Sequence, residues 1–393
     1  MDQATRKVRA MYEQFPYPSR SPNELGDFFP HLCMSYREDY RFRPKLTILD
    51  AGCGTGGFSL GTALCNPDCR VVAVDINRQA LARLRREIES WEISNIEVVE
   101  TDLHTLEGVT VPSGGFDLIS CGGVLHHLTQ PLQGLRKLQS VLAEDGVMRL
   151  MVYNTLGRQA LYRFVNALDL LHPKRGELTE RLALGRRLMG AIKEGPIKAM
   201  PWNDGESIDD VEFVDRYLNL QDRSYSVQEY FELLEQANLS FLRWYEPGHW
   251  NPASYISDPE LLERLGSEPA ETVYSFVEQL SNQALLDGFV AQKGSALQRA
   301  PGDLQGRMIA LNPQAMVQVC HQSTAGVVRE VGPRVFLRGR HSFSLEPWEF
   351  EILKQLNDGP LPADTWKEEP DFEEKLGLLI EKELVFNYLR VLP

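Results

Sequence analysis

A glycine-rich turn directly after a short apolar stretch is the feature of this sequence that most clearly points to chemistry. The stretch Thr47–Asp50 ends in an acid, and residues 52–57 then read GCGTGG. Glycine lets a backbone turn sharply and lets a ligand approach without meeting a Cβ atom. The first, third and sixth residues of the turn fit the G-x-G-x-x-G pattern of dinucleotide sites, which alone is a weak indication. The carboxylate of Asp50 would repel a pyrophosphate, so it favours a ligand with a cationic amino-acid end.

Two more acids end predicted strands further along the chain. Arg70–Asp75 and Asn95–Asp102 are stretches rich in β-branched residues that each close on a carboxylate. Helical patterns separate the predicted strands, and strand–helix alternation at this spacing predicts a parallel, doubly wound sheet. Right-handed crossovers place the carboxyl ends of all its strands at one edge, where ligands bind. We therefore expect Asp50, Asp75 and Asp102 to share that edge with the glycine turn.

This arrangement resembles the class I S-adenosylmethionine-dependent methyltransferases. Their first motif is an acid, one residue and then G-x-G-x-G, and residues 50–56 read DAGCGTG. In that family an acid after the second strand holds the ribose hydroxyls, an acid after the third faces the adenine amine, and backbone after the fourth lines the methionine end. The resemblance implies S-adenosylmethionine as the cofactor. It assigns cofactor binding to Asp50, Gly52, Gly54, Gly56, Asp75, Ile76, Asp102, Leu103, Cys121 and Gly122.

Candidate catalytic and substrate residues follow the fourth and fifth predicted strands. His126 and His127 are adjacent and cannot both face a pocket, so we take His127 as the candidate catalytic residue; the alternative is a histidine bonded to backbone. Tyr153 is the second candidate, and Asn154 and Arg158 are candidate substrate contacts, although Asn154 suits a loop cap equally well. The cofactor carries an activated methyl group, so a general base is needed only if the acceptor arrives protonated.

Residues 1–45 precede the sheet and contain a cluster of aromatic residues and prolines. We predict that this segment is a lid over the cofactor, with Tyr12 and Tyr17 as its candidate contacts. A rigid aromatic cover would exclude water from the reacting groups. Packing on the flank of the domain is the alternative.

The chain is predicted to form two domains after this segment. Residues 46–295 would form the Rossmann-like methyltransferase domain, enlarged by a helical insertion at 155–222. Residues 307–393 read as two helices and a strand, a pattern that resembles the winged-helix-like modules of some bacterial protein methyltransferases and suggests a site for a peptide or protein partner. The second helix, at 372–383, is acidic, which disfavours DNA binding.

Composition narrows the function classes further. The chain has 393 residues, of which 43% are apolar and 24% charged, as expected for a globular protein. Its net charge of −14 argues against a general nucleic-acid binder. Dispersed cysteines and the absence of a long apolar run predict a cytoplasmic protein without a membrane span. Cys65 and Cys69 have no second pair at zinc-site spacing, so no metal is expected.

The favoured function is in-line methyl transfer to a small molecule or a protein side chain. Two other functions stay open at this level. The glycine turn could serve an NAD-type oxidoreductase, or the chain could be a catalytically silent relative that acts as an interaction module through residues 307–393.

Overall fold

The computed structural model describes residues 3–17, 46–65, 68–172, 177–198, 208–245, 247–294, 307–311, 315–324, 327–337, 343–358, 361–381 and 384–389. The described residues up to 294 form one compact unit, and those from 307 onward form a second. Most of the predicted lid segment, residues 18–45, and the predicted linker lie outside the described residues. Among the described residues, no helix is both long and apolar enough to cross a bilayer.

The first unit contains a seven-stranded mixed sheet with helices on its faces. Its strands are β1 (Thr47–Ala51), β2 (Arg70–Asp75), β3 (Ile96–Glu100), β4 (Phe116–Gly122), β5 (Leu142–Tyr153), β6 (Leu239–Trp244) and β7 (Leu285–Gln292). Its helices are α1 (Gln3–Gln14), α2 (Gly57–Cys65), α3 (Arg78–Ser90), α4 (Pro131–Val141), α5 (Gln159–Leu171), α6 (Leu178–Ala191), α7 (Asp210–Leu218), α8 (Val227–Gln236), α9 (Pro259–Gly266) and α10 (Ala270–Leu280).

In the strand order β3-β2-β1-β4-β5-β7-β6, the first strand, β1, lies inside the sheet between β2 and β4. The pairs among β1 to β5 are parallel, as the sequence predicts, whereas β7 runs antiparallel to both β5 and β6. The order reverses at β1, so the loops after β1 and β4 diverge and leave a crevice between them. The Rossmann-like α/β fold predicted from the sequence is therefore confirmed.

The apolar sequences of its strands explain why this sheet lies in the interior of the first unit. Val71, Val72 and Val74 are fully buried, as are Ile48 and Leu49 on the neighbouring strand. A parallel sheet covered by helices on both faces requires such continuous apolar runs. The strands thus hold the loops at their carboxyl ends in fixed positions.

The helical insertion predicted at 155–222 contains α5, α6 and α7. Leu161, Phe164, Phe213 and Tyr217 are buried in one cluster with Met11 of α1. Aromatic contacts within the cluster include Phe213 and Tyr217, whose ring centroids lie 4.8 Å apart. The N-terminal helix therefore shares its core with the insertion.

The second unit is a small α/β structure with more strand than the sequence predicts. Its elements are β8 (Arg307–Leu311), β9 (Ala315–Thr324), β10 (Val327–Leu337), β11 (Phe343–Ser344), α11 (Pro347–Gln355), β12 (Leu361–Pro362), α12 (Phe372–Glu381) and β13 (Val385–Leu389). They form two three-stranded sheets, β11-β10-β9 and β12-β8-β13. The two helices and the last strand match the sequence prediction. The strands β9 and β10 before them contain polar residues such as Gln318, Arg329 and Arg334 among apolar ones, and do not alternate clearly between apolar and polar.

Candidate functional site

A cavity lies at the carboxyl edge of the sheet, between the loops after β1, β2, β3 and β4 and the N-terminal segment. It is lined by Thr5, Val8, Tyr12, Tyr17, Gly52, Gly54, Asp75, Ile76, Asn77, Thr101, Asp102, Leu103, Gly123, Val124, His127 and Leu128. Nine of these residues are sequence-predicted site residues: Tyr12, Tyr17, Gly52, Gly54, Asp75, Ile76, Asp102, Leu103 and His127. The cavity is therefore built where the sequence places the cofactor.

The glycine turn reaches this cavity because its backbone adopts conformations that other residues avoid. Gly52 has φ +82°, and a Cβ atom built there would lie 2.3 Å from Cγ2 of Val124. Gly56 has φ +89°, and its Cβ would lie 2.2 Å from Cδ1 of Leu84 on α3. Gly52 thus keeps the cavity wall open, whereas Gly56 lets the turn pack against a helix away from the cavity.

Asp75 ends β2 and fixes the conformation of the glycine turn. One carboxylate oxygen accepts a hydrogen bond from the backbone N–H of Gly54, and the other accepts one from that of Asn77, both at 2.8 Å. Burial raises the pKa of Asp75. The backbone of Ile76 contributes a further hydrogen bond to this carboxylate. A carboxylate has about four acceptor positions, so the backbone does not fill all of them.

Asp50 is buried beneath the turn and does not line the cavity. Its side chain accepts a hydrogen bond of 2.6 Å from the hydroxyl of Ser59 on α2. Burial raises the pKa of Asp50 to about 7, although the Ser59 hydrogen bond opposes the shift. The unfolded chain has an aspartate pKa of about 3.9, so the folded state holds this proton more tightly.

The raised pKa of Asp50 predicts that the unfolding free energy depends on pH. A folded-state pKa above the unfolded value contributes stability that is complete below about pH 4 and is lost as pH rises through about 7. In the cofactor-free protein, Asp50→Asn is expected to flatten the fall in unfolding free energy between about pH 4 and 7. Denaturant unfolding of both proteins across that range measures the difference. Parallel pH profiles for the two proteins would contradict the assignment.

Asp102 and Leu103 follow β3, and both line the cavity. One Asp102 oxygen accepts the backbone N–H of His104 at 3.0 Å and contacts Nδ1 of the same histidine at 2.6 Å. Leu103 is buried, with 5% of its surface exposed. His104 was not predicted as part of the site, although its place two residues after the acid is a signal that the sequence contains.

The N-terminal helix covers the cavity and is tied to both the sheet and the insertion. The backbone carbonyl of Tyr12 accepts a hydrogen bond of 3.0 Å from Asn77. The Tyr12 hydroxyl donates to Asp215 at 2.8 Å and accepts from Asn219 at 2.9 Å. Burial, reinforced by the Asp215 carboxylate, raises the pKa of Tyr12 and of Tyr17 well above the ordinary value. Asp215 and Asn219 are contacts that the sequence did not indicate.

His127 reaches the cavity from the 3-10 turn that follows β4. Its Nδ1 lies 2.7 Å from the backbone carbonyl of Gln221. A carbonyl can only accept, so Nδ1 is the donor in this hydrogen bond. His126 does not line the cavity. Its ring stacks on Tyr153, with centroids 3.8 Å apart.

The remaining predicted residues surround the cavity without lining it. The guanidinium of Arg158 lies 3.4 Å from the centroid of the Tyr153 ring. Asn154 donates to buried Glu278 at 2.6 Å and accepts from the backbone of Gly157 at 2.9 Å. These bonds give Asn154 the loop-capping position that was the alternative to a substrate contact.

Cys121 and Gly122 end β4 just before the cavity-lining residue Gly123. Cys121 is fully buried, and burial raises its thiol pKa to about 12, which keeps it protonated. Among the described residues, no atom lies within 4 Å of a Cβ built on Gly122. The structure therefore brings this backbone to the rim of the cavity.

Comparison with known proteins agrees with this geometry. Residues 42–180 match the family described as "Methyltransferase domain". An uncharacterised protein of Synechococcus sp., syc1184_c, is 28% identical over 71% of this chain and 69% of its own length. A malonyl-[acyl-carrier protein] O-methyltransferase of Halalkalibacterium halodurans is 26% identical, over 38% of this chain and 52% of its own length.

A solved structure shares the fold over almost the whole chain. PKMT2 from Rickettsia typhi, in complex with AdoHcy, aligns with a TM-score of 0.64 over 95% of this chain and 77% of that one, at 14% identity. This likeness supports the fold, and the family match supports the activity. The chain therefore contains an S-adenosylmethionine-dependent methyltransferase domain.

Proposed function

We propose that this protein transfers the methyl group of S-adenosylmethionine, in line, to a nucleophile on a small molecule or a protein side chain. The observation that carries the proposal is the cavity, which joins the glycine turn, Asp75 and Leu103 at one end of the crevice to His127 under the N-terminal helix. These positions correspond to the cofactor-binding residues that the family resemblance assigns.

The proposed cofactor position follows the order of the loops. The acceptor positions of Asp75 that the backbone leaves unfilled suit the ribose hydroxyls, and the loop at Asp102 and Leu103 suits adenine. The methionine end would then lie along Gly52 and Gly54, towards Gly123. Asp50 lies beneath that end, where its carboxylate supports a cationic amino group through the turn rather than by direct lining.

The acceptor end of the proposed site lies near His127 and Tyr153. His127 lines the cavity with Nδ1 bonded to backbone, and burial keeps Tyr153 in its neutral form by raising its pKa above the ordinary range. Tyr12 and Tyr17 cover the reacting groups and exclude water. Because the sulfonium methyl is already activated, alignment of donor and acceptor is the main task, and such positioning supplies up to about 7–11 kcal/mol.

We also propose that the second unit is a winged-helix-like module that binds a peptide or a protein. Two helices, α11 and α12, pack on a sheet that β8 and β13 share, and Leu353, Leu376 and Leu384 are buried in their core. The acidic start of α12, at Glu373 and Glu374, disfavours a nucleic-acid partner.

A methyl-transfer assay tests the proposed activity. Purified protein and S-adenosylmethionine with a radiolabelled methyl group are added to host lysate, which is then separated into protein and small-molecule fractions. We expect label in one fraction and roughly 5- to 150-fold less with Asp75→Ala at a cofactor concentration below the wild-type Kd. Binding of S-adenosylhomocysteine with no labelled fraction would contradict the enzyme proposal and favour the silent interaction module.

A further inference from the structure

Three potential metal ligands lie together beside the cavity. They are His126 and His127 of the 3-10 turn after β4, and Asp222 of the segment between α7 and α8. One nitrogen of each imidazole and one Asp222 oxygen lie within 4.8 Å of one another. Ligand atoms around a tetrahedral ion, each about 2.0–2.2 Å from it, are about 3.4 Å apart. Small side-chain rotations would therefore bring this set into coordination geometry.

Two members of the set are buried without a hydrogen-bond partner among the described residues. The ring of His126 is fully buried, and neither of its nitrogens has a partner there. The Oδ1 atom of Asp222 is likewise buried and unbonded. Leaving such groups unsatisfied costs about 1–3 kcal/mol each, and more for a charged group. Both groups are therefore suited to bind a cation.

His127 has the outer hydrogen bond that is typical of metal-binding histidines. Such residues usually donate their second ring N–H to a carboxylate or a backbone carbonyl. Here Nδ1 donates to the carbonyl of Gln221 at 2.7 Å and lies 3.9 Å from Oδ1 of Asp222, so Nε2 is the nitrogen left for a metal.

The charged groups near His126, His127 and Asp222 favour a bound cation. Two carboxylates, those of Asp215 and Asp222, are close to one guanidinium, that of Arg158. Arg158 approaches Oδ2 of Asp222 at 4.0 Å, whereas Oδ1 lies 3.9 Å from Nδ1 of His127, beyond hydrogen-bond distance. The two carboxylates and the guanidinium sum to −1. A divalent cation would reverse that charge to +1 rather than add to an already positive site.

We propose that His126, His127 and Asp222 bind one divalent cation of the class that prefers imidazole and carboxylate ligands, such as Zn²⁺ or Co²⁺. Three protein ligands leave a coordination position open. Because His127 also lines the cavity, that position faces the acceptor end, where a bound oxygen or nitrogen would be polarised. No metal was expected from the sequence, because the cysteine pair lacks partners and Asp222 lies far along the chain from the two histidines.

Metal titration of the full chain tests this site. The protein is treated with EDTA and titrated calorimetrically with Zn²⁺, and Co²⁺ is added separately to record its visible absorption. We expect one tight equivalent for the wild type, at least tenfold weaker binding in His126→Gln and in Asp222→Asn, and loss of the Co²⁺ bands in both. His172→Gln is the matched control, because His172 is outside the proposed set and its Nε2 lies 3.5 Å from the exposed Glu180.

Thermal unfolding and binding of S-adenosylhomocysteine report whether each variant is folded. The proposal is overturned if the wild type binds no stoichiometric Zn²⁺, or if both folded variants bind it as the wild type does. If either variant fails to fold, the Co²⁺ spectrum of the wild type decides, since tetrahedral or five-coordinate bands support the site and an aqueous spectrum contradicts it. Metal binding is measured without an acceptor, so its outcome is independent of the proposed methyl transfer.

Discussion

Asp75→Ala is expected to weaken the binding of S-adenosylhomocysteine by about 1–3 kcal/mol, or roughly 5- to 150-fold in Kd. Two effects add in this variant. The carboxylate loses its proposed bonds to the ribose hydroxyls, and the N–H groups of Gly54 and Asn77, each now held at 2.8 Å, lose their acceptor. Calorimetric titration of the ligand measures the change.

Asp117→Ala is a matched control for the loss of a structural carboxylate. Asp117 also accepts a backbone N–H, that of Thr47 at 2.8 Å, but it does not line the cavity. We expect Asp117→Ala to lower stability and leave ligand affinity unchanged. If Asp75→Ala bound the ligand as tightly as the wild type, Asp75 would not be the ribose contact.

Gly52→Ala is expected to lower the unfolding free energy by about 2–5 kcal/mol. A φ of +82° costs an L-residue about 1–2 kcal/mol. A Cβ at 2.3 Å from Cγ2 of Val124 adds an overpacking cost of about 1–3 kcal/mol. Since both residues line the cavity, ligand affinity is expected to fall as well. Denaturant unfolding and ligand titration measure the two effects.

Gly108→Ala separates the cost of backbone strain from the cost of overpacking. Gly108 has φ +83°, almost the same as Gly52, but a Cβ atom built there would lie 3.6 Å from its nearest neighbour, Cγ1 of Val99. Its substitution should therefore cost only the backbone strain. Adding Val124→Ala to Gly52→Ala should recover part of the difference, because the clash is removed. Equal losses for the two glycine variants would show that Val124 accommodates the new methyl group.

The sequence predicts the sheet and the cofactor edge because both follow from local patterns. The turn at residues 52–57 and the acids Asp75 and Asp102 each end an apolar strand, and strand direction alone then brings them to one edge. The sequence does not predict the strands β9 and β10, for the opposite reason. Their sequences mix apolar and polar residues without a clear alternation, and Gly332 and Pro333 interrupt β10.

The contacts around the acceptor end depend on residues far apart in the chain. Tyr12 meets Asp215, and His127 meets Gln221, only because the insertion folds back over the sheet. A position at a strand end also does not fix where a side chain points, and Asn154 turns to Glu278 rather than to the cavity. The catalytic roles of His127 and Tyr153 remain predictions that the acceptor assay addresses.

The most direct test of the central claim is a calorimetric titration of the full chain with S-adenosylhomocysteine and, separately, with NAD. The geometry of the glycine turn over buried Asp50, with Asp75 facing the cavity, predicts one bound equivalent of S-adenosylhomocysteine and no heat with NAD. Binding of NAD together with no binding of S-adenosylhomocysteine would contradict it.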